Sequence, residues 1–186
     1  MIVAFLDACV LVPITLTNVI LTAAEEGLLQ PCWSPEVIDE AVEAITKIRP
    51  HLNEERIRFR FTAMNEAFEG ALASGNPAML NGRSFPDIDD KHVVAAAVAA
   101  GATVIVTANI RDFPKPVLAE LGLTAVSPDE LLLQLLETEA EAMVNVVIKV
   151  ATALRNPERT PEDILAALAL AGAPNFSASV RPLLAN

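Results

Sequence analysis

The sequence predicts an α/β fold, a central parallel sheet flanked by helices, followed by an all-helical C-terminal extension. Two short apolar runs, Ile2 to Leu6 and Thr103 to Val106, have the length and β-branched content of fully buried strands. Segments of roughly a dozen residues with helical periodicity alternate with the extended ones, the pattern of strands joined by crossover helices. Beyond Val126 the pattern becomes helix only, which divides the chain into residues 1–126 and 127–186.

Ile2-Val3-Ala4-Phe5-Leu6 is stopped abruptly by Asp7, so the first strand carries an acid at its carboxyl end. Val10 to Leu28 reads as a helix with Pro13 in its first turn and Gly27 near its end. Gln30-Pro31-Cys32-Trp33 is a brief extended segment, and Ser34-Pro35 is the N-cap and first-position signature of a helix running to about Lys47. Val37, Ile38, Ala41, Val42 and Ile45 form that helix's apolar stripe, with Glu36, Asp39, Glu40 and Glu43 towards the other side. Residues 53–73 read as helical, and Ser74 to Phe85, with Gly75, Pro77, Asn81 and Gly82, as a loop. Asp87-Ile88-Asp89-Asp90 opens an alanine-rich helix ending at Gly101, just before the second strand and the segment Thr107 to Phe113. In the last third, Ser127-Pro128-Asp129-Glu130 and Thr160-Pro161-Glu162-Asp163 are capping boxes with proline at the first helical position, and Gly172 is a stop. No solenoid-period repeat and no low-complexity tract interrupts this order.

Composition narrows the class. The 186 residues are 53% hydrophobic, enough for a substantial core. Cys9 and Cys32 are the only cysteines, and no basic stretch precedes an apolar one at the N-terminus, which points to a reducing cytoplasm. The longest apolar run, Val93 to Val106, is broken by Gly101 and falls short of the roughly 20 residues of a spanning helix. The net charge of −11 argues at first against nucleic-acid binding. Its distribution softens the objection, because residues 1–46 hold seven acids and no Lys or Arg, whereas residues 47–126 hold nine of each. Lys47, Arg49, Arg56, Arg58 and Arg60 read either as a phosphate-facing patch or as a solvated helix face with Glu54 and Glu55 among them.

Ligand sites of open α/β sheets form at the carboxyl ends of the strands, where Asp7 and, just beyond the second strand, Asp112 stand. Asp90 lies in the first turn of the helix that feeds that strand and converges on the same edge. Carboxylates brought together repel one another unless some are protonated or a cation lies between them, and all-oxygen ligation selects Mg2+ or Mn2+ over zinc. Each acid also has a structural reading: Asp7 and Asp87 as helix caps, the helix-borne glutamates as solvated surface. Spacing does not choose among Glu36, Glu40 and Glu43, which share a face. His92 and Trp33 read as packing residues before catalytic or base-stacking ones.

Taken together, Phe5-Leu6-Asp7-Ala8, Ser34-Pro35 with Glu40, Asp87 to Val93, and Val104 to Pro114 with Asn109-Ile110-Arg111-Asp112 resemble the PIN-domain family. Within it the chain is most similar to VapC-type toxin ribonucleases of type II toxin–antitoxin pairs, in the branch with a helical C-terminal region, and the resemblance covers the whole chain. It implies a PIN-like three-layer fold, with 1–126 the catalytic domain. It implies that Asp7, Glu40, Asp90 and Asp112 hold Mg2+ or Mn2+ and carry catalysis, with Thr107, Asn109 and Asp89 in support. The implied activity is hydrolysis of RNA phosphodiester bonds, in the cytoplasm and away from membranes. The implied partners are a cognate antitoxin that inserts a segment near the acids and, as is common in the family, a second copy of the chain. Two other readings stay open: a catalytically silent PIN-like module binding RNA or protein, and a Mg2+-dependent phosphotransfer domain. A receiver's paired aspartate and lysine after successive strands have no clear counterpart here.

Overall fold

The computed structural model describes residues 1–155 and 157–185. Its elements in chain order are β1 (Ile2–Leu6), α1 (Ala8–Leu11), α2 (Ile14–Glu25), β2 (Leu29–Cys32), α3 (Pro35–Ile48), α4 (Glu54–Ala67), α5 (Lys91–Ala99), β3 (Val104–Val106), α6 (Lys115–Glu120), β4 (Thr124–Val126), α7 (Pro128–Thr138), α8 (Ala140–Ala153), α9 (Pro161–Leu170) and α10 (Pro174–Val180). Short 3-10 turns fall at Pro77–Leu80, Ile110–Asp112 and Arg181–Ala185. The strands make one four-stranded sheet in the order β2-β1-β3-β4, the predicted α/β architecture with a helical C-terminal region.

Two compact units result. One comprises Ile2–Val12 and Gln30–Val126, and the other Pro13–Leu29 and Ser127–Asn186 together with Met1. In the sheet unit, β1 and β3 run parallel with Phe5 opposite Ile105 and Leu6 opposite Val106, and β3 pairs parallel with β4. Phe5, Leu6, Ile105 and Val106 are all fully buried, each stabilising the fold by about 1.5–3 kcal/mol. The ladder runs one step past the strands, because Asp7 N–H donates to Val106 O at 3.1 Å and Thr107 N–H to Val126 O at 3.0 Å. Two polar residues are thereby set side by side at the carboxyl edge.

The expected helix from Val10 to Leu28 is broken. α1 ends at Leu11, Val12 caps it, and Pro13 is the N-cap of α2 rather than a first-turn residue. Proline donates no N–H and its ring crowds the preceding turn, so the chain restarts there. Predicted residues 53–73 also stop early: α4 ends at Ala67, and Trp33 N–H donates to Ala71 O at 3.0 Å while Ala73 N–H donates to Trp33 O at 2.8 Å. Trp33 is buried, donates Nε1–H to Asn65 Oδ1 at 2.7 Å and packs edge-on to Phe68, the expected packing role. α3 begins as predicted, its Ser34 hydroxyl accepting from Val37 N–H.

In the other unit both predicted capping boxes form, Ser127 with Glu130 at the head of α7 and Thr160 with Asp163 at the head of α9. Gly172 follows α9 at φ 98°, a left-handed conformation that suits glycine. The nearly buried Asp129 carboxylate accepts from Phe176 N–H at 2.8 Å and from Asn175 Nδ2 at 2.7 Å, fixing the start of α10. Among the described residues, no helix is long and apolar enough to cross a membrane.

Candidate active site

The register Leu6–Val106 carries Asp7 against Thr107, and the Thr107 hydroxyl donates to Asp7 Oδ2 at 2.6 Å. Thr107 is fully buried and also accepts from Asn109 N–H at 3.0 Å, which ties the turn after β3 to the same oxygen. The other Asp7 oxygen accepts from Ala8 N–H at 2.7 Å, so Asp7 does cap α1. Capping uses one oxygen only. The carboxylate is 7% exposed, far more buried than a helix cap requires.

Cys9 completes the group, a residue that composition marks only as one of two cysteines. Its thiol donates to Asp7 Oδ2 at 3.3 Å and accepts from Ala108 N–H at 3.3 Å. Burial first, and then the Asp7 charge, push its pKa up to about 11, which keeps it a protonated donor rather than a thiolate. Its place two residues after a strand-end acid is the signal that marks it.

Asp90 occupies the N-cap position of α5, yet its side chain makes no capping hydrogen bond. Asp87 forms a local turn instead of a helix cap, accepting from Asp89 N–H at 2.9 Å, and Asp89 itself is exposed. Burial first, and then the charges of Asp7, Asp87 and Asp112, raise the Asp90 pKa to about 6 against the pull of His92. Asp112 ends the 3-10 turn after β3, half-buried, with Arg111 Nε at 4.0 Å. Asp7, Asp90 and Asp112, from three separate segments, therefore share one electrostatic field.

Glu40 is not brought against these acids; its contact is with His92, two residues beyond Asp90. It is exposed on α3 and its Oε1 lies 2.8 Å from His92 Nε2 on α5. That hydrogen bond raises the His92 pKa against the opposing effect of burial. Among the described residues, no three His, Cys, Asp or Glu side chains already stand close enough to hold one ion together. The donor chemistry is nevertheless that of a hard-cation site, carboxylate oxygens with the nearby thiol kept protonated.

The basic stretch on α3 and α4 is largely engaged. Lys47 pairs with Glu43, Arg58 with Asp39 and Glu54, and Arg60 donates to Leu11 O at 2.9 Å. For these three, the solvated or structural reading replaces the phosphate patch.

Residues 3–111 match the family model described as PIN domain, and residues 128–182 match the one described as VapC50 C-terminal domain. Over 94 residues the chain is 39% identical to a protein of Mycobacterium tuberculosis (strain ATCC 25618 / H37Rv) named putative ribonuclease VapC50. That stretch covers 50% of this chain and 55% of the relative. No solved structure gives a significant match.

Proposed function

This chain belongs to the PIN-domain family, and we propose that it is a metal-dependent endoribonuclease hydrolysing RNA phosphodiester bonds, the toxin of a toxin–antitoxin pair. The observation that carries the reading is the buried Asp7 carboxylate held at the carboxyl end of β1 by Thr107, with Asp112 on the turn after β3; burial, and then the charges of both, raise the pKa of Asp90 at the head of α5. Native chains keep several carboxylates in such a field at a cost to stability, and a bound cation removes that cost. The ribonuclease name of the relative from M. tuberculosis supports the choice of RNA.

In this reading Asp7, Glu40, Asp90 and Asp112 hold Mg2+ or Mn2+, and Thr107, Asn109 and Asp89 support them. A divalent ion held there supplies a bound water of lowered pKa and neutralises charge growing on the phosphoryl oxygens and the leaving oxygen. The chain's own part is placement. Thr107 and Cys9 fix one Asp7 oxygen and Ala8 N–H the other, so the carboxylate cannot turn. Residues 1–126 form the catalytic part and 127–186 the helical C-terminal region. A cognate antitoxin, a second copy of the chain and a cytoplasmic setting complete the proposal.

One observation favours a second reading, a PIN-like module that binds RNA or protein without chemistry: the described side chains do not yet form a three-ligand group. Incubation of the purified protein with total and transfer RNA in Mg2+, Mn2+ or EDTA separates the two. Cutting that needs metal and disappears in Asp7→Ala and Asp90→Ala variants is the expected result. Intact RNA in every metal, from folded and antitoxin-free protein, overturns the enzyme reading.

A further inference from the structure

We propose that His92 is a positioning residue that ties Glu40 on α3 to the head of α5, beside Asp90, and keeps this acid turned to the ion. The proposal rests on the metal-nuclease reading above. Glu40 and His92 are 52 residues apart in sequence and sit on different helices, yet their side chains meet at 2.8 Å. Glu36, Glu40 and Glu43 share one face of α3, and the hydrogen bond selects Glu40 among them.

The other ring nitrogen settles which way the bond runs. His92 Nδ1 is buried and has no hydrogen-bond partner among the described residues. A proton on Nδ1 would be desolvated without an acceptor, so the ring's proton belongs on Nε2, where it is donated to the Glu40 carboxylate. Neither nitrogen is then free for substrate, which argues against a general-base role for His92.

Glu40 needs such a partner. Its side chain is 47% exposed, and a long side chain held in one orientation loses rotamer entropy. His92, one fifth exposed, is the more firmly packed of the pair and offers a fixed donor on the helix that Asp90 opens. Groups of this kind, which orient a ligand without touching the metal, typically change affinity by about 10- to 100-fold when removed.

The test is calorimetric titration of Mn2+ into wild-type protein and the His92→Leu, His92→Gln, Glu40→Gln and doubly substituted His92→Leu, Glu40→Gln variants. Loss of about 10- to 100-fold in affinity is expected for His92→Leu. Substantial recovery is expected for His92→Gln, whose amide still donates, and no further loss when His92→Leu is added to Glu40→Gln. Undiminished affinity in His92→Leu, or an equal loss with and without Glu40, overturns the proposal alone. Absence of Mn2+ binding by wild-type protein overturns the metal-nuclease reading together with it. Nitrogen–proton correlation spectra of the wild-type imidazole supply a readout that needs no variant to fold: a proton on Nε2 is expected, and a neutral ring protonated on Nδ1 overturns the proposal.

Discussion

At the residue scale, a strand-end acid is costly unless its oxygens are satisfied, and Asp7 receives N–H, O–H and S–H donors from Ala8, Thr107 and Cys9. Thr107→Val keeps the shape and removes the shortest of these bonds. It should destabilise the protein by about 1–3 kcal/mol in urea unfolding and weaken Mn2+ binding; unchanged stability would contradict the assigned hydrogen bond. Asp90 gives the opposite case. Its folded pKa of about 6 lies above the ordinary 3.8, so the folded state binds the proton more tightly and stability falls as pH rises through that window. Asp90→Asn should therefore raise the melting temperature of metal-free protein at pH 7, with no gain at pH 4. Solvent screening at this half-exposed carboxylate keeps the gain to about 1 kcal/mol or less. A lower melting temperature at pH 7 would contradict the shared field. The strand-end position of Asp7 was legible in the sequence because an apolar run stops at a charge. That Glu40 rather than Glu36 or Glu43 meets His92 was not legible, since the two residues are distant in sequence; the resemblance alone singled Glu40 out.

At the scale of elements, local signals were read well where chemistry is local. Ser34, Ser127 and Thr160 all cap the helices that their prolines begin. β4 and α6 escaped notice, because β4 begins on an exposed threonine and is only part-buried, unlike the wholly apolar β3 of equal length, and a helix of six residues holds too little periodicity to stand out. The break at Pro13 depends on how the chain turns after α1, which composition does not specify. Gly75 shows the same limit. A Cβ there would lie 2.1 Å from the Ala95 carbonyl carbon and 2.5 Å from Ala96 N, so the loop lies backbone to backbone on α5. The sequence marks this glycine only as a loop residue. Gly75→Ala forces the loop off the helix that carries Asp90 and His92, at a cost of about 1–3 kcal/mol by chemical denaturation; wild-type stability would contradict the close approach.

At the scale of the whole molecule, a net charge of −11 meets the proposed phosphodiester substrate through where the charge lies. Part of it is held in a field that calls for a cation, whose charge would offset it at the proposed site. Divalent metal should therefore stabilise the protein as well as activate it, and EDTA should lower the melting temperature of wild type more than that of Asp90→Asn. The α/β class and the helical C-terminal region could be read from alternation and its end at Val126, whereas the grouping of Pro13–Leu29 with the C-terminal helices has no sequence signature. The most direct test of the central claim is the chemistry of the cut itself, read from products of a single turnover on end-labelled RNA in water enriched in oxygen-18. Metal-dependent attack by water predicts one solvent oxygen in the new terminal phosphate, no 2′,3′-cyclic phosphate, and no product in EDTA or from Asp7→Ala. A cyclic phosphate, or cutting that persists in EDTA, would contradict the assignment of these acids to a metal-dependent hydrolytic site.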